Sequence, residues 1–380
     1  MRLGDLIAPA KVERCGDREF PVLSMTMHDG IVLQADRFKK AIASKDQSTY
    51  KVVKPGQLVV GFPIDEGVLY IQGYDHEGIM SPAYNVWNVD TDQVDTRYLE
   101  LALHSPQSMS FYKEKMRGTT ARRRSLPEAT LVELDIPVPE RCEQVKVVNT
   151  LLGIRAGITN LKSLEKRLNE LVKSRFVEMF GDPTEQHGDW SFNRIDAFCD
   201  VITGNTPSRK KPEYYGDGIE WIKTDNITEA AYLTEASERL SMEGEKVGRV
   251  APAGSVLMAC IAGSVKSIGK VAIADRPVAF NQQINALVPH EGAIETEYLL
   301  WMLRLSKDYL CSDINMQLKG ILNKTSLSKK AFSVPPLALQ QEFAVFVQQV
   351  DKLKFETQQA IDKLQILYDS LAQEYFGSNA

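Results

Sequence analysis

Residues 136–181 of this chain recur without a gap 196 positions later. Val138 falls on Val334, Pro139 on Pro335, Gln144 on Gln340, Leu168 on Leu364 and Leu171 on Leu367. Ser174 then meets Ser370, Glu178 meets Glu374, and Phe180-Gly181 meets Phe376-Gly377. These are nine identities in 46 positions, where ordinary residue usage gives about three. An internal repeat says that one structural unit was built twice, so it constrains the fold before any local signal does.

Each copy has the spacing of a long helix. In the second, apolar or small residues fall at Phe343, Phe346, Val350, Leu353, Thr357, Ala360, Leu364, Leu367 and Leu371, alternating steps of three and four. That is a heptad seam. The first copy repeats the register through Ile154, Leu161, Leu164, Leu168 and Leu171, so the two helices are expected to pack on each other as an antiparallel pair. Both follow proline, which costs nothing in a first turn. Both end at Phe-Gly, where glycine can adopt the left-handed cap.

The segments between the helices share landmarks near an offset of 200: Asn85 with Asn285, Thr96 with Thr296, and Tyr98-Leu99 with Tyr298-Leu299. Pro55–Val59 parallels Pro252–Val256. Strands rich in β-branched and aromatic residues are expected at 57–61, 68–72, 84–89, 220–223, 256–260, 270–274 and 284–288. Helices are expected at 97–104 and 297–305, with Thr96 and Thr296 as N-caps. The fold class is mixed α/β (α+β), two similar globular domains separated by two long helices. The expected boundaries are 1–138, 139–182 (helix), 183–334 and 335–380 (helix).

Five scattered cysteines without a CxxC pair argue for reduced thiols in a cytoplasmic protein, against a disulfide frame or zinc site. The longest apolar run, 254–265, is too short and too rich in Gly and Ser to span a bilayer. The net charge of −5 lacks the general basic footprint of a nucleic-acid binder, but cations cluster locally at Arg122-Arg123-Arg124, at Arg209-Lys210-Lys211, and at Lys319, Lys324 and Lys329-Lys330. No catalytic constellation stands out. Gly263–Lys270 superficially resembles a phosphate loop, but Val271 occupies the position where Ser or Thr would ligate magnesium. No GxSxG, HExxH or GxGxxG occurs.

Two divergent domains, two equivalent helices and no catalytic motif resemble the specificity subunit of type I restriction-modification systems. The residues that carry the resemblance are Ile136-Pro137-Val138-Pro139…Gln144 and Phe332-Ser333-Val334-Pro335-Pro336…Gln340-Gln341. The second domain adds Gly204-Asn205-Thr206-Pro207-Ser208, Trp221-Ile222-Lys223-Thr224-Asp225-Asn226-Ile227 and Phe280-Asn281-Gln282-Gln283-Ile284. The first has a looser Ser81-Pro82-Ala83-Tyr84-Asn85-Val86, no Gly-x-Thr-Pro near its start and no Asn-Gln-Gln.

The resemblance implies a non-catalytic DNA-binding protein that serves DNA methylation and defence against foreign DNA. Each target recognition domain would read one half of a split target in double-stranded DNA. The helices would set the gap and dock two methyltransferase (modification) subunits, with restriction subunits joining through the complex. S-adenosylmethionine and ATP would belong to those partners, and this chain would hold no cofactor or metal.

Arg, Lys, Asn and Gln are the side chains that contact phosphates and base edges. Candidate DNA contacts are therefore Arg122, Arg123, Arg124, Arg209, Lys210, Lys211, Lys223, Lys319, Lys324, Asn281, Gln282 and Gln283. Asn281, Gln282 and Gln283 could read adenine but are read more simply as stabilising a turn, and Trp221 as core. Rival readings are a same-architecture adaptor for another defence effector, a metal-dependent nuclease with an unrecognised site, and a structural scaffold.

Overall fold

A computed structural model describes the whole chain except residues 28, 38–45, 117–125, 263, 265–266, 313, 315–319 and 378–380. The chain divides into two compact units, 1–162 with 358–380, and 163–357. The long helices run Arg141–Phe180 and Leu337–Phe376, 40 residues each, or about 60 Å at 1.5 Å per residue. Each helix contributes half its length to each unit.

Unit 1 is built on an antiparallel sheet of β1 (Ile7–Pro9), β5 (Leu58–Val60), β6 (Leu69–Ile71) and β8 (Asn85–Val89), in the order β1-β8-β5-β6. Smaller pairings join β2 (Leu23–Met25) to β3 (Ile31–Leu33), and β4 (Lys51–Val53) to β7 (Gly78–Met80). The Thr96–Leu103 helix buries Tyr98 and Leu99 against Leu58 and Trp87 in one apolar cluster. Val147, Val148 and Leu151 of the first long helix, and Ala372 and Phe376 of the second, complete it. The helix segments run antiparallel here: Arg155 lies over Tyr368 at 5.5 Å, and a Cβ on Gly157 would sit 3.4 Å from Leu364.

Unit 2 repeats that plan with β10 (Cys199–Thr203), β14 (Val256–Ala259), β16 (Val271–Ile273) and β18 (Ile284–Pro289), in the order β10-β18-β14-β16. Leu58 pairs with Trp87 in one sheet and Val256 with Leu287 in the other. Gly56 and Gly254 both take the left-handed conformation, at φ of 78° and 86°. Each donates its amide at 2.8 Å, to Gln72 and to Ala274. Gly56 therefore matches Gly254, which shifts the expected Pro55–Val59 alignment by one residue. Unit 2 also carries the sheet β12-β11-β17-β13, where β11 (Tyr215–Ile222) and β17 (Val278–Phe280) run parallel between β12 (Arg239–Leu240) and β13 (Val250–Ala251). Its counterpart in unit 1 is the pair of β2–β3 and β4–β7 ladders, joined by a parallel bridge from Val22 to Ile79. The last turns of the first long helix meet the first turns of the second: Arg175 reaches Glu342 at 3.1 Å, and the Phe176 and Phe180 rings pack on Phe343.

One polar device appears in both units. Gln144 and Gln340, fully buried, accept from the amides of Asp95 (2.8 Å) and Glu295 (2.9 Å). They donate to the carbonyls of Pro139 (2.9 Å) and Pro335 (2.8 Å). The Tyr98 and Tyr298 hydroxyls donate to Pro137 and Ser333, both at 2.8 Å. Each clasp ties a long helix's start to the short helix of its own unit.

Three expectations are corrected. The short helices begin at Thr96 and Thr296, so their N-caps are Asp95 and Glu295. Asp95 accepts from the amides of Arg97 and Tyr98, whereas Glu295 makes no side-chain cap. The helix seam has the expected register at Ile154, Leu161, Leu168, Val350 and Leu364, which are buried or half-buried. Its alternate positions fall one residue later, at Ile158, Glu165, Val172, Val347, Lys354 and Ile361. Leu164, Leu171, Leu353 and Leu367 are consequently 43–49% exposed. Spacings of three-then-four and four-then-three fit the same heptad, and the inward positions at 165 and 354 hold Glu and Lys. Gly181 takes the left-handed cap at φ 69°, but Gly377 does not; its amide donates to Gln373. No helix among the described residues is long and apolar enough to cross a membrane.

Candidate nucleic-acid interface

Three sequence motifs far apart in the chain converge at one corner of unit 2. The turn after β10 lies against the turn after β17: Gly204 donates to Ile284 and Asn205 to Phe280, both at 3.0 Å. A Cβ on Gly204 would stand 2.1 Å from the Asn281 carbonyl oxygen, so only glycine permits this approach. Next along the turn, the Thr206 hydroxyl donates to the Gln282 side chain.

Trp221 is core, 4% exposed within β11, and its indole N–H donates to the Asn205 carbonyl at 3.3 Å. The Arg209 guanidinium lies over the Tyr215 ring at 4.3 Å and near Trp221 at 5.1 Å, a cation–π arrangement. It donates to Glu238 at 2.6 Å. Lys223, beside Trp221 at 5.4 Å, reaches the other oxygen of Glu238 at 2.5 Å. The Lys223 ammonium, joined by the Arg209 guanidinium, holds the Glu238 carboxyl below its usual range.

The candidate contacts thus separate. Arg209, Lys223 and Gln282 join one surface corner through Trp221, Asn205 and Thr206. Asn281 is buried, and its side chain accepts from the Gln283 amide at 3.0 Å, the part of a turn stabiliser. Gln283 is half-buried beside it. Lys210 is exposed, and Lys211 is exposed and donates to the Tyr214 hydroxyl at 3.1 Å. Lys324 opens the Lys324–Lys329 helix, which packs on the Ile195–Ala197 turn and β10. Arg122, Arg123, Arg124 and Lys319 lie outside the described residues. Glu238, central to the corner, is missing from the sequence reading. A lone glutamate fifteen residues beyond Lys223 carries no local signal, and only the β11–β12 pairing brings it back.

Fold and corner together define a class: a two-unit α+β protein with a duplicated central sheet, paired long helices and a polar surface corner built from recognition-type side chains. Residues 187–365 match the family model of the type I restriction modification DNA specificity domain. The chain is 31% identical over 113 residues to the type I restriction enzyme HindI specificity subunit of Haemophilus influenzae, covering 29% of this chain and 24% of that one. It is 29% identical over 175 residues to the type I restriction enzyme MjaIX specificity subunit of Methanocaldococcus jannaschii, covering 43% and 38%. The matched stretches therefore span well under half of these relatives.

Two solved structures share the fold over all of this chain. One comes from work on complex assembly and conformational transition of the type I R-M system, with a TM-score of 0.65 at 18% identity over 97% of that chain. The other is the type I restriction-modification S subunit from M. genitalium, with a TM-score of 0.57 at 13% identity over 96%. Residues 187–365 are thus similar in sequence to the type I restriction modification DNA specificity domain, and the whole chain shares its fold with the two solved structures.

Proposed function

We propose that the chain is the sequence-recognition subunit of a type I restriction-modification complex. Each unit reads one half of a bipartite target in double-stranded DNA, and the long helices set the unread gap. Those helices also dock methyltransferase subunits, and restriction subunits join through the assembly. This chain is non-catalytic, and S-adenosylmethionine belongs to the partners.

The observation that carries this reading is that the specificity-domain match covers the unit that gathers Arg209, Lys223 and Gln282 onto one surface. The shared strand order of the two central sheets supports two readers of common descent. Exposed Leu164, Leu171, Leu353 and Leu367 leave apolar side chains on the long helices for partner subunits. An acidic chain with only local cations binds DNA weakly alone, so the partners supply further positive surface.

Mapping methylated bases in DNA from cells carrying the complete complex tests the reading. A split, asymmetric motif with a fixed gap is expected; a contiguous motif, or none, rejects it. Incubating the purified chain with DNA and Mg²⁺, without partners, tests the nuclease alternative, for which cleavage is the deciding result.

A further inference from the structure

Arg209 stands on an exposed turn, yet its head group is held by Tyr215, Trp221 and Glu238. The shelf beneath it is rigid: Trp221 is buried in β11, and the Tyr215 hydroxyl donates to the Pro207 carbonyl at 2.6 Å. A guanidinium stacked in advance loses less freedom on binding than a free one. The side chains nevertheless stay open to a ligand, Arg209 being 55% exposed and Glu238 34%.

A cation meant for phosphate gains nothing from a carboxylate in its grasp. Glu238 binds both Arg209 and Lys223, which leaves the trio one net positive charge and sets an anion where a phosphate oxygen would have to approach. A base edge has no such conflict, because it is neutral and carries donors and acceptors side by side. Guanine offers O6 and N7 to an arginine fork, and its cytosine offers the N4 amine to a carboxylate.

We infer that Arg209 and Glu238 together read one G·C pair in the half-site of unit 2. Arg209 donates to guanine, Glu238 accepts from the cytosine amine, and Lys223 fixes Glu238 in place. This inference rests on the DNA-recognition function proposed above.

The test uses the full chain assembled with its methyltransferase subunits and a panel of duplexes substituted one base pair at a time, with a salt titration. If the unmutated complex binds every duplex alike, DNA recognition itself fails and the inference with it. Given a sequence-specific complex, Arg209→Ala and Glu238→Gln are each expected to lose discrimination at the same single G·C pair, by about 10- to 100-fold. Discrimination at the other half-site stays intact, which also shows that the protein is folded. Arg209→Lys does not restore the loss, because an ammonium lacks the fork.

Equal weakening on all duplexes with a shallower salt slope marks a phosphate contact and overturns the inference. So does relaxation at an A·T pair, relaxation at two different positions, or no change. Should Arg209→Ala fail to fold, the near-isosteric Glu238→Gln decides alone by the same criteria.

Discussion

Single side chains that work twice show what the duplication preserved. Gln144 and Gln340 were visible in the sequence as repeat identities, but their role needs the fold, because each bonds a segment about 45–50 residues away. Truncating either to alanine strands a buried amide and a proline carbonyl, at a cost of about 1–3 kcal/mol. Thermal unfolding of Gln144→Ala and Gln340→Ala is expected to shift down by about 2–4 °C per kcal/mol for units of this size.

Glu297, half-buried on the Thr296–Leu305 helix, gives a signed pH prediction. Burial raises its pKa above the usual 4.5, the charges of Glu295 and Asp351 add to the rise, and a hydrogen bond from Gln348 opposes it. A carboxyl with a raised folded-state pKa opposes folding when ionised, and that penalty disappears once the pH falls below its unfolded value. Glu297→Gln should therefore raise the melting temperature at pH 7, with the gain vanishing below about pH 4.5. Equal gains at both pH values would assign the effect to something other than charge.

At the scale of elements, the long helices were the most legible part of the sequence because their period persists over 40 residues. Six of the eight central strands are legible within a residue or two for the same reason, since alternation and β-branched content are local signals; β1 and β10 are missed. What local signals could not resolve was the seam's second row, since Leu164 and Leu353 are better hydrophobes than the half-buried Glu165 and Lys354 beside them. The corrected seam separates two substitutions. Leu364→Asp, facing Gly157 in unit 1, is expected to lower the melting temperature. Leu164→Asp is expected to leave it unchanged and to weaken co-purification with methyltransferase subunits. Gly153, with open space around its missing Cβ, and Gly157, at ordinary contact distance from Leu364, both sit inside the first long helix. Alanine at either should stabilise unit 1 by up to about 1 kcal/mol, read as a higher denaturation midpoint.

For the whole molecule, the expected boundaries placed each helix as a separate block, whereas each compact unit takes half of both helices. Sequence periodicity marks where a helix runs, but not which core its halves enter; that depends on side chains such as Phe176 and Phe180, which stack around Tyr298. The recognition corner was legible only as scattered motifs, because its unifying residue, Glu238, arrives by strand pairing. Ending the chain at Thr357 removes Ala372 and Phe376 from the unit 1 cluster but nothing from that of unit 2. Hydrogen exchange on that truncation is expected to show lost protection in β5 and β8, with β14 and β18 still protected.

Phe376 packs 5.4 Å from the Tyr98 ring, so the lobe that begins the chain is also closed by its final helical turn. On a ribosome the order of synthesis and the order of completion are therefore reversed. Unit 1 precedes unit 2 in the sequence, yet its apolar cluster lacks Ala372 and Phe376 until every residue of unit 2 has been made.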